Sequence, residues 1–492
     1  MKRSAAALLT AVLAASLVAP APPAQAEPKP LPKTPTSIGY GGAVSTVDPD
    51  ASRIALDVLA KGGNATDAAV AAAAALGVTE PFSAGIGGGG YFVHYNASTG
   101  EVETIDGRET APAAMPHDAF IDPATGSPWR FTPELVTSGV SVGVPGTPAT
   151  WQRALDRWGT RSLAQSLQPA TRLANRGFVV DSTFRAQILD NKVRFEAFPS
   201  TSGLYLPGGD APKVGSTFKN HDLADTYDLI AAGGTDAFYT GPLAQEIVDA
   251  VQDPPKSATT TLPVPAGYME TSDLASYETI DQAPTHVGYR GFDVYGMAPS
   301  SSGGSTVGEA LNILEGFDLA AMPVADALHR YLEASALAFA DRGKYVGDPA
   351  YVDVPLADLL SDTFAAERAC KINPTTAIMK PTAAGDVTSY DGVCEAAAAG
   401  EADLDTENLS TTNLTVADRW GNVVEYTLTI EQTGGSGIVV PGRGFLLNNE
   451  LTDFSTVWSA TDPNRIEPGK RPRSSMSPTI VLRDGEPFLA LG

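Results

Sequence analysis

The sequence predicts a mixed fold of helices and strands, α/β in content with hairpin pairing (α+β). Three stretches carry that expectation. Residues 411–431 alternate in polarity on either side of Asp418-Arg419-Trp420-Gly421-Asn422, a hairpin signature. Residues 91–109 read as a strand, a Ser98-Thr99-Gly100 turn and a second strand. Residues 50–75 follow a helical period instead, with Ile54, Val58 and Leu59 on one face and an alanine-rich run from Ala68 to Ala75.

The hairpin organises the chain. One face carries Thr412, Leu414 and Val416 opposite Val424, Tyr426, Leu428 and Ile430, and is apolar. The other carries Thr411, Asn413 and Thr415 opposite Glu425, Thr427, Thr429 and Glu431, and is polar. A turn centred on Trp420 pairs Thr411 with Thr429, which sets their Cβ atoms about 4.5–5.5 Å apart. A one-residue slip would mix the faces, so the register is specified. Two hydroxyls then meet at one end of the polar face, with acidic residues just beyond.

A chain of 492 residues suits two to four domains. Apolar residues, 43% of the total, allow a large core, and a charged fraction of 18% excludes a disordered polyelectrolyte. The net charge of −24 argues against nucleic acid and anionic membrane surfaces as partners. Residues 1–26 read as a secretory signal: Lys2 and Arg3, an apolar run from Ala5 to Val18, and a cut after Ala26 in Ala24-Gln25-Ala26. Pro20, Pro22 and Pro23 end that run short of the roughly 20 residues an anchor needs. A secreted protein without a membrane anchor is expected.

Residues 27–37 read as a mobile terminus. Asp50 is expected to cap the first helix, Gly62-Gly63 to end it and Asn64 to start the second. Gly85-Ile86-Gly87-Gly88-Gly89-Gly90 satisfies G-x-G-x-x-G, but a strand follows where a dinucleotide site needs a helix. Close backbone approach, or N–H groups lent to a ligand, explains the glycines better. Arg108, at the end of a strand, is either a solvated charge or a planar fork for a carboxylate. Ser216-Thr217-Phe218-Lys219 matches Ser-x-x-Lys, but no Ser-Asp-Asn or Lys-Thr-Gly accompanies it. Further helices are expected over 222–232, 243–251, 306–314 and 325–341, a strand over 288–295, and a mobile connection over 370–408. Cys370 and Cys394, 24 residues apart, are a candidate disulfide in an exported chain, the alternative being two unpaired thiols. The five histidines are scattered singly, so neither a metal nor a cofactor is expected.

Several ordered motifs together resemble the γ-glutamyltransferase (γ-glutamyltranspeptidase) family from about Gly39 onward. They are GIGGGGYFVHY at Gly85–Tyr95, DGRETAP at Asp106–Pro112, GVPGT at Gly143–Thr147 and YRGFDVYGMAPSSSGG at Tyr289–Gly304. ALAFADRGKYVGDP at Ala336–Pro349, TTNLTVAD, GFLLNNELTDFS and KRPRSSMSPTI at Lys470–Ile480 complete the set. The resemblance implies a four-layer αββα sandwich of the N-terminal nucleophile hydrolase type. It implies a precursor cut between Ser410 and Thr411 into a large subunit, 27–410, and a small one, 411–492, which form one composite domain.

On the same resemblance Thr411 is the nucleophile and Thr429 holds its hydroxyl. Arg108, with Ser474 and Ser475, takes the donor's α-carboxylate, while Glu450 and Asp453 accept from its α-ammonium. Glu431 stands where many members have asparagine, which puts donor preference in question. The substrates implied are glutathione and γ-glutamyl compounds, with water, an amino acid or a dipeptide as acceptor. The family pattern continues past Leu491-Gly492 into a Pro-Gly-Gly oxyanion segment, so the small subunit is expected to be truncated relative to it. The loop from Ser455 to Lys470 is shorter than the lid of many members, which implies a more open pocket.

Two other readings stand beside a γ-glutamyltransferase. One is an acylase of the same fold cutting a glutaryl side chain from a β-lactam, a substrate without an α-ammonium. The other is an inactive binding protein that is never cut.

Overall fold

The computed structural model describes residues 33, 36–394, 400 and 410–492. The expected signal segment lies outside the described residues, as do 395–399 and 401–409 of the expected connection.

Strand β1 (Gly42–Ser45) leads into helices α1 (Pro49–Ala60) and α2 (Ala65–Thr79). The cap of α1 is Asp48, not Asp50. Its carboxylate accepts from Ala51 N at 2.9 Å, and Pro49 fills the first turn, where a missing N–H costs nothing. Asn64 caps α2 reciprocally with Asp67. Every residue of α2 is buried, and its alanines let neighbouring elements approach closely.

The chain continues through β2 (Gly89–Asn96), β3 (Glu101–Gly107), α3 (Thr147–Trp158), α4 (Leu163–Arg176), α5 (His221–Gly233) and α6 (Pro242–Gln252). Then come β4 (Ile280–Gln282), β5 (Thr285–Tyr289), β6 (Phe292–Gly296), α7 (Gly303–Glu315), α8 (Val324–Tyr345) and α9 (Asp362–Ala369). The last strands are β7 (Thr411–Asp418), β8 (Val423–Thr429), β9 (Thr479–Arg483) and β10 (Glu486–Leu491). The single strand expected over 288–295 is two strands. Arg290 (φ 53°) and Gly291 (φ 81°) both take left-handed conformations, which close a two-residue hairpin turn.

Six strands form one sheet in the order β1-β7-β8-β2-β3-β4, and four form a second in the order β10-β9-β6-β5. Leu414, Val416, Tyr426 and Leu428 join the core shared with α1 and α2. From the opposite face of the same sheet, Tyr91, Val93, Tyr95 and Val423 pack against Met297, Met476, Ile480 and Leu482. Helix α7 covers the far side of the second sheet, and α8 and α9 pack on α7. The layers therefore run helix, sheet, sheet, helix, the αββα sandwich implied above.

The described part of the expected mobile connection, 370–394, is anchored to α8. Cys370 and Cys394 are bonded, with Cα atoms 5.3 Å apart. Glu333 accepts from Ile378 N at 2.9 Å and from Lys380 Nζ at 2.8 Å, and Tyr345 donates to Gly385 O at 2.6 Å. Polar bonds to α8 and α9, with Ile372, Ile378 and Val387 buried, hold a segment whose scarcity of large apolar residues suggested a loose linker.

Candidate active site

The hairpin register is the one read from alternation: Thr411 pairs with Thr429, Asn413 with Thr427 and Thr415 with Glu425. Its polar face is only partly open to solvent, with Thr411 exposed and Asn413 and Thr415 half-buried. It lies between the two sheets, where Glu425 is fully buried. Burial pushes the Glu425 carboxyl up to about 7, against hydrogen bonds from Thr415 and Asn413 that pull it down. Thr427 donates to Asn413 Oδ1 at 2.7 Å, and Asn413 Nδ2 donates to Glu425 at 2.7 Å, so the ladder of polar pairs is internally bonded.

At the open end, Thr411 Oγ1 donates to Thr429 Oγ1 at 3.2 Å. Thr429 also accepts from Glu431 N at 2.9 Å and donates to the carbonyl oxygen of Ser410 at 3.2 Å. One hydroxyl thus connects the side chain of Thr411 to the carbonyl that precedes it. The glycine run permits this packing. Gly89 pairs with Thr429 across β2 and β8, and a Cβ on Gly88 would collide with the Thr429 carbonyl oxygen. Gly88 O in turn accepts from Gly146 N and Thr147 N, both at 2.9 Å, which docks the GVPGT loop.

Arg108 is fully buried. Its guanidinium pairs with Glu450 and Asp453 and donates to Pro472 O at 3.2 Å and Arg473 O at 3.0 Å. Burial alone would lower this cation's pKa, but the two carboxylates outweigh it and hold the charge well above the ordinary range. Of the two readings of Arg108, the solvated charge is excluded, and the fork is engaged. The carboxylates expected to face an ammonium face the arginine in this state.

Asn448 explains why three distant motifs travel together. Its side chain accepts from Gly143 N at 2.9 Å and Glu450 N at 3.0 Å, and donates to Gly87 O at 2.7 Å and Gly143 O at 2.9 Å. Neighbouring Asn449 accepts from Gln432 N at 3.0 Å and donates to Glu431. Arg108, Thr411, Thr429, Glu431, Glu450, Asp453, Ser474, Ser475 and Met476 line one cleft. All eight donor-site and catalytic candidates therefore converge, and Ser410 abuts them. Cys370 and Cys394 belong elsewhere.

Three contributors escaped the sequence reading. Asn449 sits beside Glu431, Met476 lines the cleft, and Arg342 reaches Ser475 Oγ at 3.2 Å and Ser302 Oγ at 2.8 Å. All three lie within the motifs named above, which was the available signal. Among the described residues, no group of three His, Cys, Asp or Glu side chains is arranged to hold a metal ion. No helix among them is long and apolar enough to cross a membrane.

An αββα sandwich with a threonine at the head of an inner strand, facing a cleft of buried charges, defines the N-terminal nucleophile hydrolase class. Comparison with known proteins narrows this. A sequence profile of the family described as Gamma-glutamyltranspeptidase matches residues 51–492. The glutathione hydrolase proenzyme of Bacillus subtilis (strain 168) is 42% identical over 499 aligned residues, covering 100% of this chain and 82% of that protein. The acylase ACY 1 proenzyme of Pseudomonas sp. (strain SE83) is 36% identical, covering 94% and 77%. The crystal structure of cephalosporin acylase from Bacillus halodurans superposes with a TM-score of 0.78 at 30% identity, covering 95% of this chain and 80% of that one. The chain belongs to the gamma-glutamyltranspeptidase family and is an enzyme of that type.

Proposed function

We propose that this protein is a secreted γ-glutamyltransferase and glutathione hydrolase that arms itself by cutting its own chain between Ser410 and Thr411. The observation that carries the reading is the run of hydroxyls from Thr411 through Thr429 to the Ser410 carbonyl oxygen. Thr411 Oγ attacks the Ser410 carbonyl carbon; its proton passes to Thr429 Oγ1 as Thr429 hands its own proton on to the Ser410 carbonyl oxygen. Thr429 thereby steadies the charge that builds on the carbonyl oxygen. The C–N bond breaks, the nitrogen takes a proton, and water hydrolyses the resulting ester.

Cutting changes the chemistry of one nitrogen. As an amide it cannot accept a proton. As a free α-amine with a pKa near ~8 it can act as base to the hydroxyl of its own residue. Thr411 then attacks the γ-amide of a donor, the leaving amine departs, and water or an amino acid or dipeptide acceptor resolves the γ-glutamyl ester. Arg108 with Ser474 and Ser475 takes the α-carboxylate of the glutamyl group, and Glu450 and Asp453 take its α-ammonium. When the donor enters, its two charged groups share the ion pairs that Arg108, Glu450 and Asp453 make with one another. Glu431, held by Asn449, adds a third carboxylate that favours the cationic end.

The large subunit, 27–410, and the small subunit, 411–492, stay together because β7 and β8 pair inside a sheet whose other strands come from the large subunit. Export follows from the signal-like residues 1–26.

Mass spectrometry of the purified protein tests the reading: a new amino terminus at Thr411, with p-nitroaniline released from γ-glutamyl-p-nitroanilide, is expected. An uncut chain that releases none would sink it and leave the binding-protein alternative standing. The acylase relatives keep a second reading in view, cleavage of a glutaryl side chain. Such a group has no ammonium for Glu450 and Asp453. Faster turnover of the γ-glutamyl than of the glutaryl anilide is therefore expected.

A further inference from the structure

The side chain of Ser410 is held by two hydroxyls that no step above uses. Thr433 Oγ1 donates to Ser410 Oγ at 2.9 Å, and Ser83 Oγ lies 3.3 Å from the same oxygen. A hydroxyl has one proton to give and two lone pairs to accept with. Accepting from Thr433 leaves Ser410 able to donate to Ser83. Because Thr429 takes its carbonyl oxygen, Ser410 is held at two atoms by three side chains.

The two holders share one rigid frame. Ser83 lies in the turn after α2, and Phe82 O beside it accepts at 2.8 Å from Gly434 N, the neighbour of Thr433. Buried Arg194 donates to Thr433 O at 3.0 Å, to Thr137 Oγ1 at 2.9 Å and to Asn191 Oδ1 at 2.7 Å. Gly434 is left-handed at φ 85°, and a Cβ there would press on the Phe195 ring at 2.8 Å. Thr433 cannot drift without moving a buried arginine and a packed aromatic ring. Neither Ser83 nor Thr433 lines the cleft that holds Arg108 and Thr411.

We infer that Ser83 and Thr433 are positioning residues for maturation. They clamp the Ser410 side chain so that its carbonyl carbon faces Thr411 Oγ, and they take no part in turnover once the chain is cut. The inference rests on the self-cleavage reading. The clamped step balances without them: the Thr411 Oγ–Ser410 C bond forms, and the Ser410 C–Thr411 N bond breaks. The nitrogen gains a proton, and water splits the ester into the Ser410 carboxylate and the Thr411 hydroxyl. Alignment governs the rate of such an intramolecular attack. Loss of one neutral hydrogen bond to the clamped group is expected to slow cutting about fivefold.

The test follows the fraction of chains cut against time in wild type, Ser83→Ala, Thr433→Val, Thr433→Ser and Ser410→Ala, together with turnover per cut chain. Thr433→Val and Ser83→Ala should each slow cutting about fivefold. Thr433→Ser, which keeps the hydroxyl, should cut at the wild-type rate. Turnover per cut chain should be equal in all of them. Ser410→Ala removes the held group without touching the frame, so it should slow cutting by itself, and adding Ser83→Ala to it should slow cutting no further. A wild type that never cuts overturns both readings. A wild type that cuts while Ser410→Ala, Ser83→Ala and Thr433→Val keep its rate overturns the clamp alone.

Discussion

The hydroxyl of Thr429 donates to the carbonyl oxygen of Ser410 at 3.2 Å while accepting from Thr411 at the same distance. The group that would polarise the bond to be cut is therefore the group that would receive the nucleophile's proton. Residues 411 and 429 face each other across one hairpin, so a single strand pairing builds both functions.

Thr429→Val keeps the shape of the side chain and removes the hydroxyl. Self-cutting and anilide hydrolysis should both fall about 100-fold or more, whereas Thr429→Ser should keep most of both. Gel densitometry of the cut fraction and initial rates of p-nitroaniline release measure the two separately. Wild-type cutting by Thr429→Val would remove Thr429 from the maturation step.

Arg108→Ala leaves Glu450 and Asp453 buried without their cation, and Pro472 O and Arg473 O without its N–H groups. Breaking a buried pair in this way costs about 3–5 kcal/mol, read as a lower urea midpoint. Arg108→Lys keeps a charge but not a fork that spans two carboxylates. Its KM for the γ-glutamyl anilide should rise about tenfold or more, with a smaller change in kcat. An unchanged KM would argue against Arg108 as the carboxylate site.

Glu425 makes stability depend on pH. Its carboxyl is pushed up to about 7 in the fold, whereas a glutamate in an unfolded chain titrates near ~4.3. Between those values the folded chain keeps a proton that the unfolded chain has released. Stability therefore falls as pH rises across that window, by about 4 kcal/mol from this residue. Glu425→Gln should remove that fall, so urea midpoints at pH 5 and pH 8 should differ less in the variant than in wild type. Equal pH dependence in both would rule Glu425 out as the source.

Gly88→Ala places a methyl group against the Thr429 carbonyl oxygen. Overpacking of this kind costs about 1–3 kcal/mol, and here the backbone that must yield carries Thr429. Cutting and anilide turnover should fall together with thermal stability. Gly316→Ala serves as the control, since its backbone is right-handed and an added Cβ there meets nothing within 4 Å. A Gly88→Ala protein with normal activity would show that β2 can move aside without disturbing the hairpin.

Residue order determined the pairing of Thr411 with Thr429, because a turn centred on Trp420 sets that register and a one-residue slip would bring Leu414, Val416 and Tyr426 onto the face of Glu425. It also located the helix around Ala68–Ala75, and it warned that the glycine run serves close packing. Local rules erred where a neighbour took over. Asp48 displaced Asp50 as a cap, and Arg290-Gly291 folded an expected strand into a hairpin.

Whether the hairpin's polar face meets water or a second sheet depends on layers built from strands far outside the hairpin, at 285–296 and 479–491. Only the tertiary structure decided that Glu425 is buried. The same holds for the cleft. Alternation and spacing constrain neighbours a few residues apart, but Arg108 meets Glu450 across 342 positions of chain. Nothing periodic links the two. Asn448 and the packed glycines carry out that convergence, and they can do so only once the sheets have closed over them.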